Sequence, residues 1–211
     1  MPLANPALTK FTTTSSNIAS YDYQDIINGT GVIEFNLAAW TETTNESYFL
    51  TPSSVHSDGT YFAFSQASGG HSGTSSDFDF DIQFNVPKSV RGDIYVSLPY
   101  YSFSAGSVTM GASANVGVYH WDGTTETQIG GGADLVSPSI DRAAGYWLFK
   151  FTQATIQHFK KGEIFRLKVN LNVSSTTGTA NLYIGCDPSN TTLSGTVGSN
   201  SKVYISTILD I

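Results

Sequence analysis

Asp77-Phe78-Asp79-Phe80-Asp81-Ile82-Gln83-Phe84-Asn85-Val86 decides the fold class. Every polar residue in it stands at an odd position and every apolar one at an even position, the period of two that a strand with one buried face requires. Outward from it, the same period runs through Val32 to Ala39, with Ile33, Phe35 and Leu37 inward. It returns in Glu163 to Val173, where Phe165, Leu167, Val169 and Leu171 oppose Arg166, Lys168, Asn170 and Asn172. Three such segments predict strands that cover one core.

Further β-rich runs lie at Ser20 to Ile27, Ser47 to Thr51, Thr60 to Ser65, Asp93 to Tyr101, Asn115 to Asp122, Gly145 to Phe151, Thr179 to Cys186 and Lys202 to Leu209, each bounded by turn-forming residues. Asp122-Gly123 between alternating segments marks a tight hairpin, because glycine supplies the positive φ the turn needs. A second hairpin is expected through Ser174 to Gly178, joining the strand that ends near Val173 to Ala180. One segment reads as a short helix, Thr152 to Lys161, with a threonine cap, lysines in its last turn and Gly162 beyond. Gln66 to Ser76 and Gly130 to Ala144, rich in Gly and Ser, read as long loops. The expected organisation is an N-terminal arm over residues 1–19 and a single domain over 20–211. The fold class is all-β, an antiparallel jelly-roll-like sandwich with at most one short helix.

Composition agrees. In 211 residues there are 27 Ser, 24 Thr and 12 Asn, small polar side chains that suit turns and solvated strand faces. Charged residues are only 13 %, against about 25 % in an ordinary domain. A formal charge of −7 repels a phosphate backbone, so nucleic acid is not expected as a partner. Nor is a membrane, since no apolar run approaches the length of a spanning helix. The first residues, Met1-Pro2-Leu3-Ala4-Asn5-Pro6, carry no signal-peptide pattern. Cys186 stands alone, which excludes an internal disulfide and reads as a small buried hydrophobe.

The motifs divide between chemistry and plain structure. Asp77, Asp79 and Asp81 line one strand face, but neighbours two apart on a strand stand about 7 Å from each other, too far to share one ion without help. They read as a solvated acidic face, and no metal or other cofactor is expected. Arg91-Gly92-Asp93 spells an adhesion tripeptide, which a turn between Pro87 and the next strand explains equally well. His56, His71, His120 and His158 are scattered, and no nucleophile elbow accompanies them. The chain is therefore not expected to be an enzyme, although carboxylates from distant strands can converge to cut a glycosidic bond. Tyr100, Tyr101, Tyr119, Trp121 and Trp147 are candidates for a sugar platform. Most of them are expected in the core, and Tyr101 and Trp121 are retained as ligand-contact candidates.

Several pieces carry a resemblance. Tyr21-Asp22-Tyr23-Gln24-Asp25-Ile26-Ile27-Asn28-Gly29-Thr30-Gly31 with the strand Val32 to Phe35 resembles an opening found in virion-associated proteins of tailed viruses. The hairpin from Val118 to Gly130, the run Phe159-Lys160-Lys161-Gly162-Glu163-Ile164-Phe165-Arg166-Leu167 and the turn Asp187-Pro188-Ser189-Asn190 are similar to theirs and stand in the same order. The resemblance implies a jelly-roll-like capsid decoration or cement protein, a structural protein on the capsid surface of the virion, made in the host cytoplasm. The major capsid protein is the partner it implies. Jelly rolls of this kind assemble about threefold axes, so a homotrimer is expected. The alternative is a carbohydrate- or receptor-binding head of a viral surface appendage, taking a glycan or host receptor through its aromatic loops.

Overall fold

The computed structural model describes residues 19–20, 30–42, 45–55, 62–68, 74–105, 109–176, 178–194 and 197–208, and among them every regular element is a strand. In chain order these are β1 (Ala19–Ser20), β2 (Thr30–Glu42), β3 (Asn45–Thr51), β4 (Phe62–Ser68) and β5 (Thr74–Gln83). There follow β6 (Lys88–Ser104), β7 (Met110–Trp121), β8 (Glu126–Ile129), β9 (Leu135–Val136) and β10 (Ala144–Phe159). The chain continues through β11 (Ile164–Ser175), β12 (Thr179–Gly185), β13 (Thr192–Ser194), β14 (Val197–Gly198) and β15 (Lys202–Ile208). The expected arm over 1–19 and the strand expected over 20–27 lie outside the described residues, save for Ala19 and Ser20, which pair with Ile33 and Val32 of β2. His56 and His71 also lie outside them.

The fold is an antiparallel, jelly-roll-like β-sandwich. β6 is the spine of one layer. β10 runs along one edge of it, and β15 and β12 share the other, β15 from Ser89 to Ser97 and β12 from Tyr100 to Ser104. β12 carries β4 on its far side, and β15 carries β2. The opposite layer is β5, β11 and β7, with β8 and β9 on the outer edge of β7. β2 crosses between layers: its first half pairs with β15, its second with β3, and β3 meets β5 through a single parallel bridge, Phe49 to Asp81. Hydrogen bonding therefore runs round the corner of the sandwich, which leaves fewer open edges to template aggregation.

Between the layers lies one apolar core. In β11 burial alternates without a break from Phe165 to Ser175, as the sequence period demands. Phe78 and Phe80 of β5 and Phe84 beyond it are buried, whereas Val86 is exposed because the strand stops at Gln83. Phe35, Phe80, Phe84, Phe151, Phe159 and Phe165 are among the largest side chains fully withdrawn from water, and each contributes on the order of 1.5–3 kcal/mol by that transfer. The Asp122-Gly123 hairpin forms as expected: Trp121 pairs with Glu126, and Gly123 holds φ at +100°.

Four expectations are corrected. Thr152 to Phe159 is the end of strand β10, not a helix. A register shift between Gln153 and Gln157 breaks the period of two and imitates a helical spacing, while Lys160, Lys161 and Gly162 belong to the turn into β11. The connection through Ser174 to Gly178 is an arch and not a hairpin, since β11 pairs with β5 and β7 whereas β12 pairs with β4 and β6 in the facing layer. The loop expected over 66–76 is shortened from both ends by β4 and β5. Arg91-Gly92-Asp93 is neither loop tip nor turn: it lies inside β6, where Gly92 faces the β10 irregularity at Gln153 and Asp93 takes Lys150 at 2.8 Å.

Candidate functional site

On the outer face of the β5–β11 layer the acidic strand meets its basic neighbour in register, Asp81 beside Arg166, Asp79 beside Lys168 and Asp77 beside Asn170. Arg166 grips both carboxylate oxygens of Asp81 at 2.7 Å and reaches Glu126 at 3.0 Å and Asp79 at 3.4 Å. The bond to Asp81 raises the Arg166 pKa further above its ordinary value. Burial pushes Glu126 up, but hydrogen bonds from Lys168 and Arg166 outweigh it and hold the carboxyl below its usual range. For Asp79 burial prevails over the attraction of Arg166, and its pKa is raised. The expected solvated acidic face is thus a salt-bridged ladder. Its chemistry is cohesion, because planar bidentate pairing fixes the register of β5 on β11.

The aromatic candidates separate. Trp147 is buried and stacks on Tyr100 with ring centroids 4.2 Å apart. Tyr119 and Trp121 belong to β7, in the layer of the charged ladder, where Lys168 stands over the Tyr119 ring at 4.8 Å and Arg166 over the Trp121 ring at 5.9 Å. Burial pushes the Tyr119 hydroxyl up to about 12, helped by its hydrogen bond to Asp134. Tyr101 lies in the other layer, on β6, so the two ligand-contact candidates do not converge on one site. Beside Tyr101 stand Phe103 and Tyr183, which sequence reasoning missed. The alternation Tyr101-x-Phe103 was legible, but Tyr183 joins them only through the β12 register.

The described histidines are each partnered. His158 Nδ1 lies 3.0 Å from Ser89 Oγ, linking β10 to β6, and Ser89 is buried. His120 Nε2 lies 2.8 Å from Glu163, Gln157 approaches its Nδ1 at 3.0 Å, and Phe159 packs edge-on against the ring. A hydrogen bond from the Lys160 backbone N–H holds Glu163 below the usual carboxylate range, against burial, with His120 assisting. Cys186 is fully buried.

Asp187 of the Asp187-to-Asn190 turn is also buried, and accepts hydrogen bonds from the Ser189 N–H and hydroxyl, the Thr191 N–H and the Ser199 hydroxyl. Burial pushes its pKa up, yet these bonds win and bring it to about 2. A carboxylate depressed on folding stabilises above its unfolded pKa and loses that contribution as pH falls through the folded one. Asp187→Asn is therefore expected to cost about 2 kcal/mol at pH 7, with the difference from the parent fading between about pH 4 and pH 2. Urea unfolding across that range measures it, and a cost independent of pH overturns the assignment.

One edge of the sandwich is apolar and open. Among the described residues β6 is the strand paired with β10, and along β10's other side a groove of about 450 Å³ runs between Tyr146–Lys150 and Leu135–Pro138. Val136, Tyr146 and Leu148 stand 68 %, 60 % and 71 % exposed on its rims.

No family model matches the chain, and no curated protein matches it in sequence. Some solved structures match it in the path of the chain. A CocE/NonD family hydrolase from Staphylococcus aureus is 9 % identical, with 82 % of this chain and 36 % of that one covered and a TM-score of 0.44. The module TmCBM61, solved with β-1,4-galactotriose, is 12 % identical, with 84 % and 89 % covered and a TM-score of 0.29. A structure of the infectious bursal disease virus Gx strain is 12 % identical, with 90 % and 56 % covered and a TM-score of 0.17. The chain spans about a third of the hydrolase it matches. These likenesses are of fold. The expectation that the chain is not an enzyme is nevertheless withdrawn, since a hydrolase stands among the structures matched and residues converging from distant strands leave no local sequence signature. No activity is carried over from the likeness.

Proposed function

We propose that the chain is a structural protein of a virus particle, a decoration or cement protein that docks on the major capsid protein at the outer surface of the shell. The observation that carries this reading is the open apolar edge at Val136, Tyr146 and Leu148. Large side chains exposed together beside a groove mark a surface that another protein covers. Burying Leu148 alone contributes on the order of 1.5–3 kcal/mol. The resemblance of the 118–130 hairpin and the 159–167 run to virion-associated proteins supports the same reading. A repeated lattice then turns modest contacts into firm attachment, and a homotrimer multiplies them again.

Co-sedimentation of the purified chain with shells assembled from its capsid protein tests the reading. The chain is expected to pellet with shells, and Leu148→Asp to weaken pelleting at least about tenfold by burying a charge in the contact. Failure of the parent to pellet overturns the proposal. Light scattering and native mass spectrometry test the trimer, for which three times 22.6 kDa is the expected mass.

A further inference from the structure

From the rings of Tyr101, Phe103 and Tyr183 we infer a second binding surface, separate from the β10 edge, that takes a neutral pyranose oligosaccharide. On β6 the residues 101 and 103 project to one face, and the register sets Tyr183 of β12 directly beside Tyr101. The three ring centroids form a nearly equilateral triangle, with sides of 6.0, 6.2 and 6.4 Å. Their planes agree within 12°, 22° and 11°. The face is the outward one, since the alternate residues Ser102, Leu182 and Ile184 are buried while Phe103 is 37 % exposed. Nothing in the packing of the core requires three large rings there.

Ring alignment is what distinguishes this block from an ordinary hydrophobic patch. Within the core Phe84, Phe159 and Phe165 meet edge-on and tilted, and where Trp147 stacks on Tyr100 the indole is buried, so an aligned set of rings on an outward face stands apart. The aligned rings form one continuous apolar block, most open to solvent at Phe103, against which the C–H face of a pyranose can pack. Next to Phe103 in the same row stand Asn181 and Gln66, whose Nε2 donates to Asn181 Oδ1 at 2.7 Å. Gln66 is exposed and supplies the amide for sugar hydroxyls at the border of the rings, while Asn181, itself buried, holds it in place. All five side chains are uncharged in a protein of net charge −7, so the block matches a neutral sugar in place of a sialylated or sulfated one, which the chain's field repels.

The test uses the full chain against an immobilised panel of neutral gluco-, galacto- and manno-oligosaccharides, with sialylated and sulfated glycans beside them, followed by calorimetry on the best neutral binder. Saturable binding to a neutral oligosaccharide is expected. Tyr101→Ala and Phe103→Ala should each weaken it about tenfold or more. Tyr101→Phe should keep most of it, and Trp121→Ala, in the opposite layer, should leave it unchanged. Melting temperatures of the variants should stay close to that of the parent, because the rings lie outside the core. Three results overturn the inference: no saturable binding to any neutral sugar, preference for the charged glycans, or affinity indifferent to both ring deletions. Loss of shell pelleting in the ring variants with no sugar binding by the parent also overturns it, and assigns the block to capsid docking; a Leu148→Asp variant that loses shells yet keeps the sugar separates the two surfaces.

Discussion

Gly185→Ala is expected to destabilise the protein by about 3 kcal/mol, a fall in melting temperature of roughly 6–12 °C for a domain of this size. A methyl group on Gly185 would stand 2.2 Å from the Ser199 carbonyl oxygen and 2.4 Å from the Ser199 carbonyl carbon and Cα. Backbone meets backbone there, so no rotamer change relieves the clash. Neither side is free to withdraw. Gly185 ends β12, clamped between β4 and β6, and its carbonyl accepts the Ser201 hydroxyl at 2.6 Å. Ser199 accepts from the Asp187 N–H at 3.1 Å and donates its own N–H to Thr191 at 2.9 Å. Making room means opening this clamp, at about 1 kcal/mol for each hydrogen bond lost, and exposing the buried Asp187 carboxylate to rearrangement. Gly123→Ala is the internal control. Its added methyl meets nothing within 4 Å, and only the positive φ of +100° opposes it, so a cost near 1 kcal/mol is expected. Chemical denaturation of both variants settles the comparison, and equal costs would mean that the close approach at Ser199 is not the cause.

The contrast between those glycines also marks what sequence can and cannot disclose. Gly123 announced itself, because Asp-Gly between alternating segments is a local signal for a local turn. Gly185 did not, since its constraint comes from a segment 14 residues on that folds back against it. The same division runs through the molecule. The strands with an unbroken period of two, such as β5 and β11, were legible, as was the all-β class. The end of β10 was misread because its irregularity opposite Gly92 disturbs the only period a single strand offers. The arch after β11 was misread because a Gly-containing turn specifies that the chain reverses, and says nothing about which layer it returns to. Candidate sites suffered most. Tyr101 was selected from its type and place, but its companions Phe103 and Tyr183 are assembled by pairing across strands, and Trp121 was assigned to the same platform although it stands in the other layer.

Arg166→Met is expected to cost about 2–3 kcal/mol near pH 7 and distinctly less near pH 4. The guanidinium is the hub of three carboxylates, Asp79, Asp81 and Glu126, and its side chain is 21 % exposed. Methionine keeps much of the alkyl volume against Trp121, so the loss is chiefly one of charge. Without the cation, Lys168 alone faces three negative groups, two of which neighbour each other on β5. Asp79 is already raised by burial with Arg166 in place, and a carboxyl raised on folding disfavours the native state at pH values above its pKa. Removing Arg166 takes away a cation that lowers both Asp79 and Glu126, and so drives these two upward. The deficit is therefore full where Asp79 and Glu126 are ionised and shrinks as pH falls and they take up protons. In the parent the sign differs for Glu126: its depressed carboxyl contributes above its unfolded pKa and loses that contribution on acidification. Acid thus weakens the parent while relieving the variant, and the two stability curves converge. Urea unfolding at pH 7 and pH 4 measures the gap, and adding Asp79→Asn to Arg166→Met should recover part of it at pH 7 by removing one of the stranded charges. A deficit of equal size at both pH values would assign the role of Arg166 to packing on Trp121 and not to the ladder.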